Sequence, residues 1–389
     1  MMNQFSFPTR IWHGEGSLQA FVEYLGEIKD GPYLFVVDKG LLEIGLAQEV
    51  IELCAKFELE LQVFSEFSGN PKESEVLAGA GAFKSTQAKA LISMGGGSAM
   101  DMAKAIGVFA THDGDLLDYD DAKGGDKNIT NPLPINYAIP TTAGTGSEVG
   151  RSSVIVSEKT GRKVIVFHPD MLPAIAVLDP TLSQGLPAGL SAATGIDAFT
   201  HNLEAYLAKG YHPMADAIAC EGMRMIVEYL PRAVERGQDL EARSAMLLAA
   251  SMGATAFQKG LGLVHSLAHP MSTHYGTHHG LANAILLEPV LGWQVRHRVD
   301  DFSLDLKFRY GQVVGFLGGQ ASDWQGLPEL LGDFVRSLGL NTSLVAAGLG
   351  RDDLASLSAE AFADGCHRSN PIAVTQGEIS AIFEHCLSV

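Results

Sequence analysis

Carboxylate and imidazole side chains recur at helical spacing in the second half of the sequence. Asp197 and His201 lie four residues apart in a segment with helical character, so they project from one face on successive turns. His265 and His269 repeat that spacing, and His279 follows in what we predict to be a loop before another helix. One carboxylate with neutral imidazoles forms a donor set without thiolate, which suits a divalent Fe, Zn, Mn, Co or Ni ion.

The clustering of these imidazoles strengthens the prediction of a metal site. Of the 13 histidines, five fall within 15 residues, namely His265, His269, His274, His278 and His279. A single histidine on an amphipathic face is usually a core or surface residue, so the pairs carry more weight than any one member. At this point an adventitious metal-binding surface and a hydrolase with a metal-bound water remain alternatives.

A glycine-rich segment, GGGS at residues 95–98, lies between a predicted strand and a predicted helix. The unpaired N–H groups at the start of a helix, together with its positive end, bind a pyrophosphate when side chains do not block the approach. Glycine also serves any tight turn between a strand and a helix. The usual G-x-G-x-x-G pattern does not follow the first predicted strand, so the ordinary Rossmann fingerprint is missing.

Two further features suit a dinucleotide. Asp38 ends the run YLFVVD, where a carboxylate accepts hydrogen bonds from a ribose 2′-hydroxyl and repels a 2′-phosphate, which favours NAD over NADP. Such a residue is equally often a helix cap. The segment TTAGTGSE at residues 141–148 offers hydroxyls and close backbone approach to a sugar or pyrophosphate, although a solvated loop has the same composition. A nucleotide site argues against the hydrolase.

The elements that position these residues change character along the chain. Short β-branched runs alternate with helical segments in the first half, and long segments rich in Ala, Leu and Glu follow. We predict strands at residues 33–38, 61–64, 90–94, 135–140, 153–157, 163–167 and 175–178, and helices at 45–57, 73–85, 99–110 and 240–259. The predicted architecture is an α/β Rossmann-like dinucleotide-binding domain at residues 1–185, an all-helical metal-binding domain at residues 186–389, and an active site in the cleft between them.

Composition limits the classes of partner. A chain of 389 residues with 46% hydrophobic and 19% charged residues is typical of a globular protein with two cores. The formal net charge of -18 repels nucleic acid and anionic membranes. The four cysteines form no C-x-x-C pair, so we expect reduced thiols. Residues 1–10 lack a signal-peptide pattern and no run of 18 apolar residues occurs, so we expect a cytoplasmic protein.

The sequence resembles the iron-containing, or group III, alcohol dehydrogenase family, which includes lactaldehyde reductases and 1,3-propanediol dehydrogenases. The resemblance covers nearly the whole chain. It is carried by GGGSAMDMAK at residues 95–104, PTTAGTGSE at 140–148, GIDAFTHNLEAY at 195–206, GLGLVHSLAHP at 260–270 and HHGLANAILL at 278–287.

The resemblance implies a role for particular residues. The implied metal ligands are Asp197, His201, His265 and His279. His269 would be an active-site histidine that does not bind the metal and passes a proton toward solvent, and Phe257 would lie near the substrate. Besides Asp38, the implied cofactor-binding residues are Asn70, Gly96, Gly97, Ser98, Asp101, Thr141, Thr142, Thr145 and Lys163, with Asp101 supporting the glycine turn.

The resemblance also implies an activity. We expect hydride transfer between NAD(H) and a small primary or secondary alcohol or its aldehyde, one divalent metal with Fe²⁺ ahead of Zn²⁺, and a homo-oligomer of two or more copies. The alternatives are an NAD- and metal-dependent glycerol dehydrogenase or an enzyme similar to dehydroquinate synthase. Both groups share the two-domain plan but generally lack a histidine equivalent to His201. A nucleotide- or metal-binding protein without catalytic activity is a third possibility.

Overall fold

The computed structural model describes residues 5–7 and 9–387. Two compact units divide the chain, one made of Met1–Thr142 and Gly146–Gln184, the other of Ala143–Thr145 and Gly185–Val389. The expectation about a signal peptide falls partly on residues 1–4 and 8, which lie outside the described residues, as do the last two residues of the predicted helical domain.

The first unit is built on a parallel sheet. Its strands are β1 (Arg10–His13), β2 (Tyr33–Val37), β3 (Leu61–Phe64), β4 (Ala90–Gly95), β5 (Ile135–Pro140), β6 (Ser152–Val156), β7 (Lys163–Phe167) and β8 (Ile175–Leu178). Its helices are α1 (Ser17–Ile28), α2 (Lys39–Glu43), α3 (Leu46–Lys56), α4 (Glu73–Ser85) and α5 (Gly97–Thr111). Six strands form the sheet in the order β1-β8-β5-β4-β2-β3, and every adjacent pair is parallel.

The strand order places a topological switch point between β2 and β4. From β2 the chain continues outward to β3 on one side, whereas from β4 it continues to β5 on the other. Every residue of β2, β4 and β8 is buried, and these strands are mostly apolar, as expected for strands with both faces covered. Ligands of open α/β sheets bind beyond the carboxyl ends of the strands at such a point. Asp38 and Gly96 directly follow those two strand ends.

Each predicted strand and helix of the first unit is present within two residues of its predicted ends. The pairing differs from simple βαβ repetition in one place, because β6 and β7 form a separate antiparallel pair. The short strand β1 was not predicted. It pairs with β8, which is more than 160 residues away, and four residues give little periodicity from which to predict a strand.

The second unit is helical throughout its described length. Its helices are α6 (Ala188–Leu207), α7 (Pro213–Glu235), α8 (Leu240–Ala256), α9 (Leu263–Tyr275), α10 (His279–His297), α11 (Leu304–Phe316), α12 (Leu327–Ser337), α13 (Leu354–Ala363) and α14 (Gln376–Cys386). The predicted helix at residues 240–259 ends instead at Ala256, where a single 3₁₀ turn follows. His279 begins α10, so its predicted place in a loop is wrong.

Helix α6 is the central element of this unit, because every residue from Ser191 to Leu207 is buried. Small residues on neighbouring helices permit this. A Cβ atom at Gly222 of α7 would lie 2.2 Å from Asn202 Oδ1, and one at Gly253 of α8 would lie 2.7 Å from Asn202 Nδ2. Two glycines therefore let α7 and α8 approach α6 closely, which removes its polar residues from water.

Two other structural findings bear on the sequence predictions. Among the described residues, none of the helices combines the length and hydropathy needed to span a membrane. The four cysteines are free thiols, with Cys54 and Cys386 buried and Cys220 and Cys366 partly buried. The absence of a disulfide among them agrees with the expectation of reduced thiols.

Candidate functional site

Three imidazoles surround one carboxylate oxygen in the helical unit. The distances from Asp197 Oδ1 to the Nε2 atoms are 4.0 Å for His201, 3.9 Å for His265 and 3.6 Å for His279. Asp197 and His201 lie on successive turns of α6, His265 lies in the first turn of α9, and His279 begins α10. Three helices thus bring together the four predicted ligands.

These distances fit a divalent cation. Ligands about 2.0 to 2.2 Å from a tetrahedral ion lie about 3.4 Å from one another. The ligand atoms of Asp197, His265 and His279 all lie within 4.8 Å of one another. His201 joins them through its 4.0 Å distance to Asp197 and through stacking on His265, with ring centroids 4.6 Å apart. A small contraction would bring all four donors to bonding distance of one ion.

The buried carboxylate of Glu204 orients one of these imidazoles. Its Oε2 accepts a hydrogen bond of 2.7 Å from His265 Nδ1 and one of 2.8 Å from the N–H of Gly262, and its Oε1 accepts one of 2.6 Å from the N–H of Val264. Because Nδ1 donates its proton to Glu204, the lone pair of Nε2 faces Asp197. Two acceptors directed toward the same point suit a cation between them, so this arrangement supports a metal site.

The same burial keeps the imidazoles neutral. Loss of solvation lowers the pKa of His201 to about 4 and that of His265 to about 4, although the charge of Asp197 opposes both shifts. Burial also raises the pKa of Glu204 to about 7, and its backbone N–H donors limit the rise. Metal binding requires imidazoles without a second proton. The helical unit therefore presents His201 and His265 in the required form at neutral pH.

Helix α10 reaches this cluster through a glycine. A Cβ atom at Gly280 would lie 2.1 Å from the carbonyl oxygen of Ala193 on α6, so only glycine permits the observed approach of the two helices. One turn later, Asn283 Nδ2 donates to Asp197 Oδ1 at 2.7 Å and lies 3.4 Å from His265 Nε2. Gly280 and Asn283 therefore determine the position of His279 relative to Asp197.

The predicted non-ligand histidine borders the cluster. The ring of His269 is stacked on that of His279 with centroids 5.3 Å apart, and its Nδ1 bonds Asp364 Oδ2 at 2.8 Å. Phe257 follows α8 and lies beside the cluster of predicted ligands, its ring centroid 5.3 Å from that of His201. Both residues thus lie next to predicted ligands, as the sequence analysis expects of an active-site histidine and a substrate contact.

In the α/β unit, the glycine turn adopts the geometry of an anion-binding loop. Gly96 precedes α5 in extended conformation and Gly97 is the first helical residue, so their N–H groups lie at the positive end of a helix of 15 residues. Gly95 has φ +146, and a Cβ there would lie 2.2 Å from Asp38 Oδ2. Asp38 accepts a hydrogen bond from the backbone of Gly96, and burial raises its pKa. Asp38 and the glycine turn are therefore in direct contact.

Other predicted cofactor residues surround this turn. Ser98 Oγ donates to the carbonyl of Gly69 at 2.6 Å, which holds the neighbouring Asn70 beside the turn. The N–H of Thr141 donates to the carbonyl of Gly95 at 3.0 Å, and Thr142 Oγ1 would lie 3.6 Å from a Cβ at Gly96. Thr145 differs from the rest, because the segment Ala143–Thr145 belongs to the helical unit.

Asp101 supports a different segment from the one predicted. Its Oδ1 accepts from Ser147 Oγ at 2.7 Å and its Oδ2 from the N–H of Val154 at 3.0 Å, so it anchors the start of β6 and the loop before it. Burial lowers the pKa of Lys163 at the start of β7, and the charge of Asp101 opposes that shift. The motif GGGSAMDMAK gives no signal for these partners of Asp101, because they lie some 50 residues further along the chain.

Three buried or half-buried polar residues with clear roles in the site were not identified from the sequence: Glu204, Asn283 and Asp364. Glu204 follows His201 by three residues and Asn283 follows His279 by four, so each lies on the face of its helix that carries a ligand. That spacing is a usable signal. Asp364 has none, because 95 residues separate it from His269.

Comparisons with known proteins agree with this geometry. Residues 8–180 match the family model described as iron-containing alcohol dehydrogenase, and residues 191–387 match the one described as Fe-containing alcohol dehydrogenase family, C-terminal. The chain is 38% identical to a 4-hydroxybutyrate dehydrogenase of Cupriavidus necator, over 91% of this chain and 92% of the relative. It is 34% identical to an NAD-dependent methanol dehydrogenase of Bacillus methanolicus, over 99% and 100%.

A solved structure of a 1,3-propanediol oxidoreductase superposes with a TM-score of 0.91 at 32% identity, covering 99% of this chain and 100% of that one. Both units of the chain are thus matched by family models, by relatives of equal length and by a solved structure. The chain belongs to the iron-containing alcohol dehydrogenase family and is an alcohol dehydrogenase.

Proposed function

We propose that this alcohol dehydrogenase transfers a hydride between NAD(H) and a small primary alcohol or its aldehyde, with one divalent cation held by Asp197, His201, His265 and His279. Fe²⁺ is the first candidate for the cation and Zn²⁺ the second. The observation that carries the proposal is the convergence of three imidazole Nε2 atoms to within 4.0 Å of Asp197 Oδ1.

The names of the relatives support the substrate class. Methanol, 4-hydroxybutyrate and 1,3-propanediol each carry a primary alcohol on a short chain. Phe257 supplies an apolar ring beside His201, which suits a small aliphatic group next to the reacting carbon. A secondary alcohol places a second carbon at that position, so we expect lower activity with it than with a primary alcohol of equal length.

Residues of this chain bind the cofactor and accept the proton of the alcohol. A bound divalent cation supplies Lewis acidity, which lowers the pKa of an alcohol hydroxyl, and NAD supplies the hydride acceptor. Gly96 and Gly97 offer their N–H groups to the pyrophosphate of the dinucleotide, and Asp38 offers its carboxylate to the adenosine ribose. His269 holds the proton that leaves the alcohol and passes it to solvent, since a third of its side chain is exposed.

Turnover by metal-reconstituted protein tests this proposal. Protein loaded with Fe²⁺ or Zn²⁺ is supplied with alcohols, diols and aldehydes of two to four carbons and with NAD(H) or NADP(H), and NADH absorbance is followed. We expect metal-dependent NAD reduction by primary alcohols and aldehyde reduction in the reverse direction. Substrate conversion without net change in NADH would overturn the proposal in favour of a lyase similar to dehydroquinate synthase. Sedimentation of the same samples tests the expected homo-oligomer.

A further inference from the structure

We propose that Asp364 is a positioning residue that fixes the tautomer and orientation of His269, so that Nε2 carries no proton in a ring that is stacked on the predicted metal ligand His279. Asp364 directly follows α13, and His269 lies in the second turn of α9. The consequence for catalysis rests on the proposed function, because an unprotonated Nε2 can then accept the proton that leaves the alcohol. The tautomer itself does not depend on that function.

The carboxylate of Asp364 is held by a set of donors. Its Oδ2 accepts from His269 Nδ1, and its Oδ1 accepts from Ser266 Oγ and from the N–H of Cys366, all at 2.8 Å. Ser266 Oγ in turn accepts from the N–H of His367 at 2.7 Å, which directs the hydroxyl proton of Ser266 toward Asp364. Burial raises the pKa of Asp364, but the hydrogen bond and charge interaction with His269, together with the hydrogen bonds from Cys366 and Ser266, outweigh it and hold that pKa well below its usual range.

An ionised carboxylate only accepts hydrogen bonds, so His269 Nδ1 must donate its proton to Asp364. A neutral imidazole then carries no proton on Nε2. The ring is stacked on His279 and lies 6.0 Å, centroid to centroid, from His265. The Asp364 carboxylate therefore leaves the acceptor nitrogen of His269 beside the predicted metal ligands.

This tautomer gives the proton of the alcohol a defined acceptor, the Nε2 atom of His269. During alcohol oxidation the O–H bond would break and an Nε2–H bond would form on His269, while a bound NAD would accept the hydride with its electron pair. The ring becomes a cation whose charge Asp364 offsets at 2.8 Å, and it returns to the neutral form by releasing the proton to water. In the reverse direction the same nitrogen supplies the proton to the aldehyde oxygen.

The same residues also suggest a second metal site, because ligand atoms of His269, Asp364 and Cys366 lie within 4.8 Å of one another. The hydrogen bonds do not favour that interpretation. Both oxygens of Asp364 already accept donors, and burial and the Asp364 charge raise the pKa of the Cys366 thiol well above its usual value. A thiol that retains its proton is a poor metal ligand.

The substitution Asp364→Asn gives a sharp test, because two donors point at the position of Oδ1. The N–H of Cys366 cannot become an acceptor, so the carbonyl oxygen of the new amide must take that position. Its NH₂ group then faces His269 Nδ1, which has to accept a hydrogen bond. The proton of His269 therefore moves to Nε2, the nitrogen that needs to be free.

A matched control lies between the same two helices. Glu360 of α13 bonds His274 of α9 through Oε2 and Nε2 at 2.6 Å, at an exposed position. The substitution Glu360→Gln also replaces a carboxylate by an amide opposite an imidazole and leaves His269 untouched. Comparison with Glu360→Gln therefore distinguishes an effect of the His269 tautomer from an effect of a weaker contact between α9 and α13.

The experiment combines ¹⁵N spectra of histidine-labelled protein, metal-free and zinc-loaded, with kcat, KM and metal content; His269→Gln identifies the resonances. We expect wild type and Glu360→Gln to carry the His269 proton on Nδ1, and Asp364→Asn to carry it on Nε2. We expect kcat of Asp364→Asn to fall by roughly 10- to 100-fold with metal content and KM for NAD unchanged.

The same tautomer in wild type and Asp364→Asn, or an unchanged kcat, would overturn the proposal. Loss of metal from Asp364→Asn would also overturn it, because that result indicates a structural role. Uptake of two ions per chain by wild type and of one by Asp364→Asn would overturn it in favour of a second metal site. If no alcohol is turned over by wild type, the proposed function fails while the spectra still decide whether Asp364 sets the tautomer.

Discussion

Glu204 Oε2 and His265 Nδ1 lie 2.7 Å apart, which joins the last turns of α6 to the first turn of α9 across 61 residues of sequence. The same carboxylate accepts the N–H groups of Gly262 and Val264. Glu204 therefore has two roles. It accepts the N–H groups at the start of α9, and it sets the tautomer of His265, a predicted metal ligand. We therefore expect metal affinity and the stability of the helical unit to be coupled through this residue.

The first prediction concerns Glu204→Gln. Each oxygen of Glu204 accepts a backbone N–H, so either orientation of the new amide turns its NH₂ group toward a backbone donor. We expect the affinity for Zn²⁺ to fall by roughly 10- to 100-fold and the free energy of unfolding of metal-free protein to fall by about 1 to 3 kcal/mol. Equilibrium dialysis and denaturant unfolding measure the two effects.

The control for Glu204→Gln is Glu228→Gln. Glu228 is half-exposed on α7, where it pairs with Arg224 one turn away at 2.8 Å. Exposed pairs of this kind contribute little, so this variant should match wild type in both measurements. Equal losses in the two variants would contradict the role assigned to Glu204.

The second prediction concerns Gly280→Ala. The new methyl group meets a backbone carbonyl on α6 at 2.1 Å, and a backbone atom cannot rotate away, so α10 must shift together with His279. We expect weaker Zn²⁺ binding and a loss of about 1 to 3 kcal/mol in the free energy of unfolding. Gly315→Ala in α11 has open space around the new methyl group and should be neutral or stabilising. If Gly280→Ala binds Zn²⁺ as wild type does, the close approach of α10 is not needed.

The third prediction concerns pH. The pKa of His201 is lowered by burial from 6.5 to about 4, so between these values the unfolded chain binds a proton that the folded chain does not. The stability of metal-free protein is therefore highest above about pH 6.5 and is lost as the pH falls toward about 4, by roughly 1 kcal/mol per pH unit from this group. Denaturant unfolding of wild type and His201→Gln across this range measures it. Identical pH slopes in the two proteins would show that His201 does not titrate as its burial implies.

The fourth prediction concerns cofactor choice. Asp38→Asn removes the charge that repels a 2′-phosphate but keeps the shape of the side chain beside Gly96. We expect the ratio of kcat/KM for NAD to that for NADP to fall by roughly 10- to 100-fold. Glu43→Gln changes the net charge equally at an exposed position on α2 and should leave the ratio unchanged. A ratio that moves equally in both variants would indicate a long-range charge effect.

The local elements were predictable because their signals are local. Burial on both faces gave β2 and β4 mostly apolar runs, and the i, i+4 spacing of Asp197 with His201 placed both on one face of α6. The glycine turn was recognisable from its position between a strand and a helix. The sequence analysis predicts His279 in a loop before a helix, whereas α10 begins at His279 itself.

The partners of the site residues were less predictable, because they depend on contacts between distant parts of the chain. Asp364 meets His269 across 95 residues, and Asp101 meets Val154 across 53. No periodicity or motif spacing records such a pairing. For the same reason β1, which pairs with β8 only through the fold, left no signal in the sequence.

The central claim is that Asp197, His201, His265 and His279 hold one divalent cation. The most direct test is the stoichiometry of Zn²⁺ and Fe²⁺ in reconstituted protein, measured by elemental analysis for wild type and for Asp197→Asn, His201→Gln, His265→Gln and His279→Gln. The predicted result is one ion per chain in wild type and a large loss in each variant that remains folded. No stoichiometric uptake by wild type, or full uptake by the four folded variants, would contradict the account.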